Sequence, residues 1–327
     1  MKTLIFTKQD VEKVLTPAVA NKTIEKAFKA YGLGQTDMPA KSYLTFKKGD
    51  LRSMPAYIHG QGFDIAGIKS VNVHPENAMH NLPTVMAVII LNDPKTGFPL
   101  AILDGTYLTS IRTGAAGALA VKLLSRKNAK IAGFVGCGVQ ARAQLMCILE
   151  VRKIKTVKIW QFGPKDTYAP KFRDWVEKTY KIETIISPAI DEVTTSVDIL
   201  ITTTPSRTPL VNKVSPGTHI NAVGADAQGK QEINPNILKQ AKVVIDDWAQ
   251  ASHSGEINVP FSKKIITQKD IYASLGEIAA GKEKGRTSDE EITLFDSTGL
   301  AIQDVSCAYT VYKTLKDKPG IKKIELF

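Results

Sequence analysis

The stretch Lys130-Ile131-Ala132-Gly133-Phe134-Val135-Gly136-Cys137-Gly138-Val139-Gln140-Ala141 constrains this chain more than any other. Ile131 to Val135 is an apolar run of strand length. Ala141, Leu145, Ile148 and Leu149 then recur at helical spacing, in a helix that begins near Val139. Between them, Gly136-x-Gly138-x-x-Ala141 has the spacing of the dinucleotide-binding turn in its Ala-ending form. Gly136 permits the tight turn, Gly138 offers a pyrophosphate a backbone without a Cβ, and Ala141 allows close packing of helix on sheet. The free N–H groups and dipole at the helix start favour the phosphates. The stretch therefore predicts a strand, a turn and a helix around a dinucleotide.

Beyond Ala141 the chain alternates between strand and helix signals. Strands are expected at 131–135, 156–160, 183–186, 198–203, 218–223 and 242–246, with helices at about 139–150, 168–178, 189–194 and 235–240. That order predicts a parallel, doubly wound α/β sheet. The first hundred residues read differently. Thr7-x-x-Asp10 has the form of a helix cap ahead of Val11, Val14 and Leu15. A second helix is expected over about 22–31. Strands are expected next at 41–46, 52–59, 65–73, 83–91 and 100–103, the last two joined by the turn Asn92-Asp93-Pro94-Lys95-Thr96-Gly97. This is a helix pair and a largely antiparallel sheet. An alanine-rich helix over about 107–124 links the two parts. The stretch 248–291 is polar, with several short helical pieces. A strand is expected at 291–295, and Asp296-Ser297-Thr298-Gly299 is expected to cap a helix running from Leu300 to about Leu315.

With 327 residues and 43% hydrophobic content, the chain can build one large core or two medium ones. No apolar run approaches a membrane span. The N-terminus has too short an apolar run for a secretory signal, so the cytoplasm is the expected compartment. Cys137, Cys147 and Cys307 form no disulfide or zinc pattern, and no metal is expected. The net charge of +11 comes from scattered lysines and arginines without interleaved aromatics, which reads as solvated surface and not as a nucleic-acid face.

In open α/β sheets ligands bind beyond the carboxyl ends of the strands. After the second strand come Gln161, Phe162 and Gly163, where an acid would read a ribose 2′-OH. None is present; Gln161 can bond the hydroxyl and Lys165 can meet a 2′-phosphate, so NAD and NADP both stay open. After the fourth strand come Thr203 and Thr204, after the fifth Val223, Gly224, Ala225 and Asp226. Asp226, between flexible turns, can act as a base or orienting group, or cap the next segment. In the N-terminal part Arg52, Lys69 and Arg112 lie at or beside strand ends. A lysine partly buried among Ile65, Ile68 and Val71 loses basicity, which suits proton transfer, and arginine grips carboxylates with two prongs.

Taken together, these stretches resemble the ornithine cyclodeaminase/μ-crystallin family. The resemblance is carried by Arg52-Ser53-Met54-Pro55-Ala56-Tyr57, Gly67-Ile68-Lys69, 104–116, 136–141, 203–206, Gly224-Ala225-Asp226, His253-Ser254-Gly255-Glu256 and 295–299. Stretches 224–232 and 296–304 are most similar to its archaeal alanine dehydrogenase branch. The resemblance implies a Rossmann domain (116–303) inserted in an α+β substrate and dimerisation domain (1–115 with 304–327), and a homodimer. It implies NAD, with NADP as the alternative, and chemistry at the Cα of a small L-amino acid. Arg52, Lys69 and Arg112 would bind substrate, and Lys69 and Asp226 would be catalytic. Arg112, Gly136, Gly138, Val139, Gln140, Ala141, Gln161, Phe162, Gly163, Thr203, Thr204, Val223, Gly224, Ala225 and Ser297 would line the cofactor. The activity implied is oxidative deamination of L-alanine. Ornithine cyclodeamination, imine reduction and cofactor binding without turnover are the alternatives.

Overall fold

A computed structural model describes residues 2–161 and 168–326. The chain divides into two compact units, Met1–Thr113 with Leu300–Phe327, and Gly114–Gly299.

The first unit starts with β1 (Thr3–Phe6), α1 (Lys8–Val14) and α2 (Pro17–Gly32). Thr7 and Asp10 form a reciprocal capping box on α1, as their spacing predicts. Then come β2 (Thr36–Asp37), β3 (Ser42–Phe46), β4 (Gly49–Ile58), β5 (Ile65–Val73), β6 (Val85–Asn92) and β7 (Pro99–Asp104). Helix α3 (Thr106–Leu124) is next, and the unit boundary falls within it. Its small residues have a packing reason: a Cβ at Gly114 would run into the Ala143 carbonyl.

The second unit continues with β8 (Ile131–Val135), α4 (Val139–Ile148), β9 (Thr156–Trp160), α5 (Ala169–Tyr180), β10 (Glu183–Ile186), α6 (Ile190–Thr194), β11 (Ile199–Thr202), β12 (His219–Ala222), α7 (Pro235–Leu238) and β13 (Lys242–Ile245). The polar stretch resolves into α8 (Trp248–Ser254), α9 (Asn258–Ser262), β14 (Ile271–Ser274) and α10 (Leu275–Ala279), before β15 (Thr293–Asp296). The chain then returns to the first unit with α11 (Ala301–Leu315) and β16 (Lys322–Ile324).

The sheet of the second unit runs β10-β9-β8-β11-β12-β15-β13-β14, and its pairings are parallel. The first strand, β8, lies between β9 and β11, so the winding reverses there and opens a crevice at the carboxyl ends of β8 and β11. The core beside it includes Val135, Leu200, Ile220, Ala222, Ile245 and Leu294. This is the doubly wound Rossmann-type α/β architecture expected from the sequence.

The sheet of the first unit runs β16-β1-β7-β6-β5-β4-β2, with β3 also on β4. It is antiparallel except for β1 on β7. Strand alternation assigns its two faces. Arg52, Met54, Ala56 and Ile58 of β4, Ile65, Gly67, Lys69 and Val71 of β5, and Ala87, Ile89 and Leu91 of β6 are buried, and α11 packs across these three strands. On the other face Pro55, Ile68, Ile90, Ile102 and Ile5 stand side by side in register, half-buried, with Val88 exposed near them.

One local expectation is overturned. Asp296-Ser297-Thr298-Gly299 does not cap α11: its N-cap is Leu300, with no side-chain cap bond. The Asp246 carboxylate instead accepts from Thr298 N (2.6 Å), Thr298 Oγ1 (2.9 Å) and Gly299 N (2.8 Å). A buried acid distant in sequence outcompetes the local capping geometry.

Candidate active site

In the second unit the glycine turn comes directly after β8. Gly136 has φ +99°, a region that disfavours a Cβ, and its N–H donates to Trp160 O (2.9 Å). Gly138 is the N-cap of α4 and supplies no side-chain cap bond; a Cβ there would meet no atom within 4 Å. The helix start is thus open to a ligand, with Val139 69% exposed and Ala141 buried against the sheet. Thr203, at the end of β11, donates through Oγ1 to Gly136 O (3.3 Å), which brings these two loops together at the crevice.

The loops after β11 and β12 are tied by Glu232, a residue with no role expected from the sequence. It is fully buried and accepts from Thr202 Oγ1, Thr204 N and Thr204 Oγ1 (each 2.7 Å) and from Gly224 N (2.9 Å). Burial raises its pKa and these donors oppose the rise. Glu256 accepts from Glu232 N (3.0 Å) and Ile233 N (2.7 Å); burial, with Glu232 and Asp296 nearby, holds it well above the usual carboxyl range. Val223 and Ala225 are buried in the same loop.

A dinucleotide fits this set on two further observations. Gln140 Oε1 and Ser297 Oγ are buried, with no hydrogen-bond partner among the described residues, at positions expected to face the cofactor. Buried polar atoms of this kind call for an outside partner. Gln161 accepts from Ala169 N through Oε1, so its carbonyl oxygen serves the start of α5. Phe162 and Gly163 lie outside the described residues, as does Lys165. Asp226 is paired with Lys230 Nζ (2.5 Å), four residues on, and is partly exposed. Cys137 is buried in the turn, its thiol pushed up to about 12 by burial, which fits the inert filler role.

In the first unit the three expected cations are all buried. Lys69 is 1% exposed. Its Nζ forms an ion pair with Asp304 Oδ2 (2.7 Å) and donates to Thr109 Oγ1 (3.3 Å). Arg112 donates from Nε to Asp304 Oδ1 (2.9 Å) and from Nη1 to Gln303 Oε1 (2.5 Å). Arg52 is held by Asp50 (2.8 and 3.2 Å) and lies over the Tyr43 ring. Burial first, then Arg112, pushes the Lys69 ammonium down to about 7; Asp304 pulls the other way and Lys41 adds to the fall. A lysine of this kind is present at neutral pH both as amine and as ammonium, and can pass a proton in either direction.

Asp304, Gln303 and Lys41 are thus additions to the expected site. Asp304 had a readable signal: it lies four residues before Ala308 and seven before Val311, an acid on the apolar stripe of α11. Lys41, buried just ahead of β3, had none. Among the described residues no group of three or more His, Cys, Asp or Glu is placed to hold a metal, and no helix is long and apolar enough to cross a membrane.

Comparison with known proteins finds matches over the whole length of the chain. Alanine dehydrogenase of Archaeoglobus fulgidus is 51% identical over 100% of this chain and 99% of its own. The structure of an archaeal alanine dehydrogenase dimer with bound NAD superposes with a TM-score of 0.95 at 50% identity, covering 100% of both chains. That of Thermococcus litoralis Δ1-pyrroline-2-carboxylate reductase, in complex with NADH and L-proline, gives 0.93 at 36% identity, covering 98% of this chain and 100% of that one. The model of the ornithine cyclodeaminase/mu-crystallin family matches residues 1–319, and the chain belongs to that family.

Proposed function

We propose that this protein is an NAD-dependent L-amino-acid dehydrogenase whose substrate is L-alanine, converted with water to pyruvate and ammonia. The observation that carries the reading is Lys69: a fully enclosed amine, close to neutral pH in its titration, bridged by Asp304 to Arg112. The identity with the A. fulgidus enzyme supports alanine as substrate, and the NAD-bound archaeal structure supports NAD as cofactor.

NAD, when bound, supplies the acceptor for the hydride that leaves Cα. Gly136, Gly138, Val139, Gln140 and Ala141 would hold its pyrophosphate, Thr203, Thr204, Val223, Gly224 and Ala225 its middle, and Ser297 Oγ its nicotinamide side. Gln161 would serve its adenosine ribose. The substrate carboxylate is assigned to Arg52 and Arg112, each already fixed by a carboxylate of its own chain and so pre-oriented. Lys69 takes the proton from the water that adds at the oxidised carbon, and returns one to the departing amine. Asp226 is the second acid–base candidate; its pairing with Lys230 leaves Lys69 as the group on which the reading rests.

The protein is read as a homodimer, through the apolar row Pro55, Ile68, Ile90, Ile102 and Ile5. A half-buried row of this kind across five strands suits packing against a second copy. The test of the activity is direct. Purified protein given alanine and NAD should form NADH, ammonia and pyruvate in equal amounts; proline and ammonia from ornithine without NADH accumulation would replace this reading with cyclodeamination.

A further inference from the structure

Asp304 joins two residues to which different tasks are assigned. One of its oxygens takes the Lys69 ammonium at 2.7 Å and the other takes Arg112 Nε at 2.9 Å, and the carboxylate itself is fully buried. Its neighbour Gln303, also fully buried, takes Arg112 Nη1. All four side chains belong to one unit, and α11 brings Gln303 and Asp304 onto the sheet face that carries Lys69.

We propose that Asp304 is the positioning residue of this site, a single carboxylate that sets the distance between the proton carrier Lys69 and the carboxylate-binding Arg112. The proposal rests on the dehydrogenase reading for the tasks of those two residues. Its physical basis is the surplus of positive charge around Lys69. Lys41 comes from the segment before β3, Arg52 with its partner Asp50 from β4, Arg112 with the Thr109 hydroxyl from α3, and the Cys307 thiol stands beside Asp304 on α11; β6 offers only the apolar Ile89 opposite Lys69. Of the two carboxylates in this set, Asp50 is bonded to Arg52, so Asp304 is the one that holds Lys69 and Arg112 against mutual repulsion. Without it, a cationic Lys69 is further disfavoured and the side chain loses its fixed direction.

The test uses the full-length protein and two variants, Asp304→Asn and Asp304→Glu. The titration midpoint of Lys69 is read without cofactor, from the 13Cε resonance of labelled lysine, with Lys69→Arg supplying the assignment; turnover of alanine is read separately. In Asp304→Asn the midpoint should fall by about one pH unit, tenfold in the protonation equilibrium. Its kcat should fall about 100-fold through lost alignment. Asp304→Glu keeps the charge but moves it, so its midpoint should stay near that of the parent while kcat still falls about tenfold. An unmoved midpoint in Asp304→Asn overturns the proposal. So does full turnover by Asp304→Glu, which decides the matter alone if the Asn variant does not fold. If the parent does not oxidise alanine yet the midpoint moves as stated, the dehydrogenase reading fails and the hold of Asp304 on Lys69 stands.

Discussion

In the unit that carries Lys69, buried charge is arranged side chain against side chain: one carboxylate, Asp304, lies between an ammonium and a guanidinium, and the partly exposed Asp50 is paired with Arg52. In the unit that carries the glycine turn, buried carboxylates grip the main chain. Glu232 holds the loops after β11 and β12, Glu256 takes the N–H groups of Glu232 and Ile233, and Asp246 takes those of Thr298 and Gly299. On the proposed reading, the first arrangement keeps Lys69 where it can exchange a proton. The second fixes loop shape, and its acids serve as scaffold. Burial alone therefore does not identify a chemical group; what the group is bonded to does.

Three experiments would break or sharpen that contrast. The largest effect is expected from Lys69→Ala. General acid–base groups contribute about 100- to 10,000-fold, and a thousandfold loss in kcat is expected, with NAD affinity by calorimetry unchanged. Retention of most of the turnover would remove Lys69 from the chemistry. Next comes pH. Taking a proton from water needs Lys69 as the neutral amine, so the rate should fall as pH drops through about 7. Below that point it should drop about tenfold per unit as Lys69 takes up a proton, and a pH–rate profile of kcat/KM that stays flat from 6 to 8 would contradict the assignment. The smallest effect belongs to the scaffold. Glu232→Gln sets an amide N–H against one of the donors that Glu232 now accepts, at a cost of about 1–3 kcal/mol. The expected result is a melting temperature lower by several degrees and weaker NAD binding, with the pH profile unmoved; a shifted profile would erase the distinction between the two clusters.

Much of this was legible in the residues because the signals are local. β5 and β8 have the bounds that their apolar runs predicted, and the capping box at Thr7 and Asp10 formed as spaced. What escaped depends on distant partners. β16 is a short, mostly exposed edge strand, Lys322–Ile324, whose only cue is its pairing with β1 at the far end of the chain. The stretch 296–299 has good capping chemistry, yet Asp246 claims its donors. Glu232 sat within a stretch already singled out, but its task appears only when Thr204 and Gly224 converge on it. Asp304 could have been found as the acid in an apolar helical stripe, whereas the burial of Lys41 could not.

The register of β5 carries a consequence for how such a protein can change over time. Ile68 and Lys69 are neighbours in sequence but serve opposite faces of one pleated layer, the first in the apolar row and the second beside Asp304. Inserting or deleting one residue ahead of them would exchange their faces, placing an ammonium among isoleucines and an isoleucine against a carboxylate. This strand can therefore vary by substitution but not by length, and insertions or deletions that alter the site have to fall in the loops that surround it.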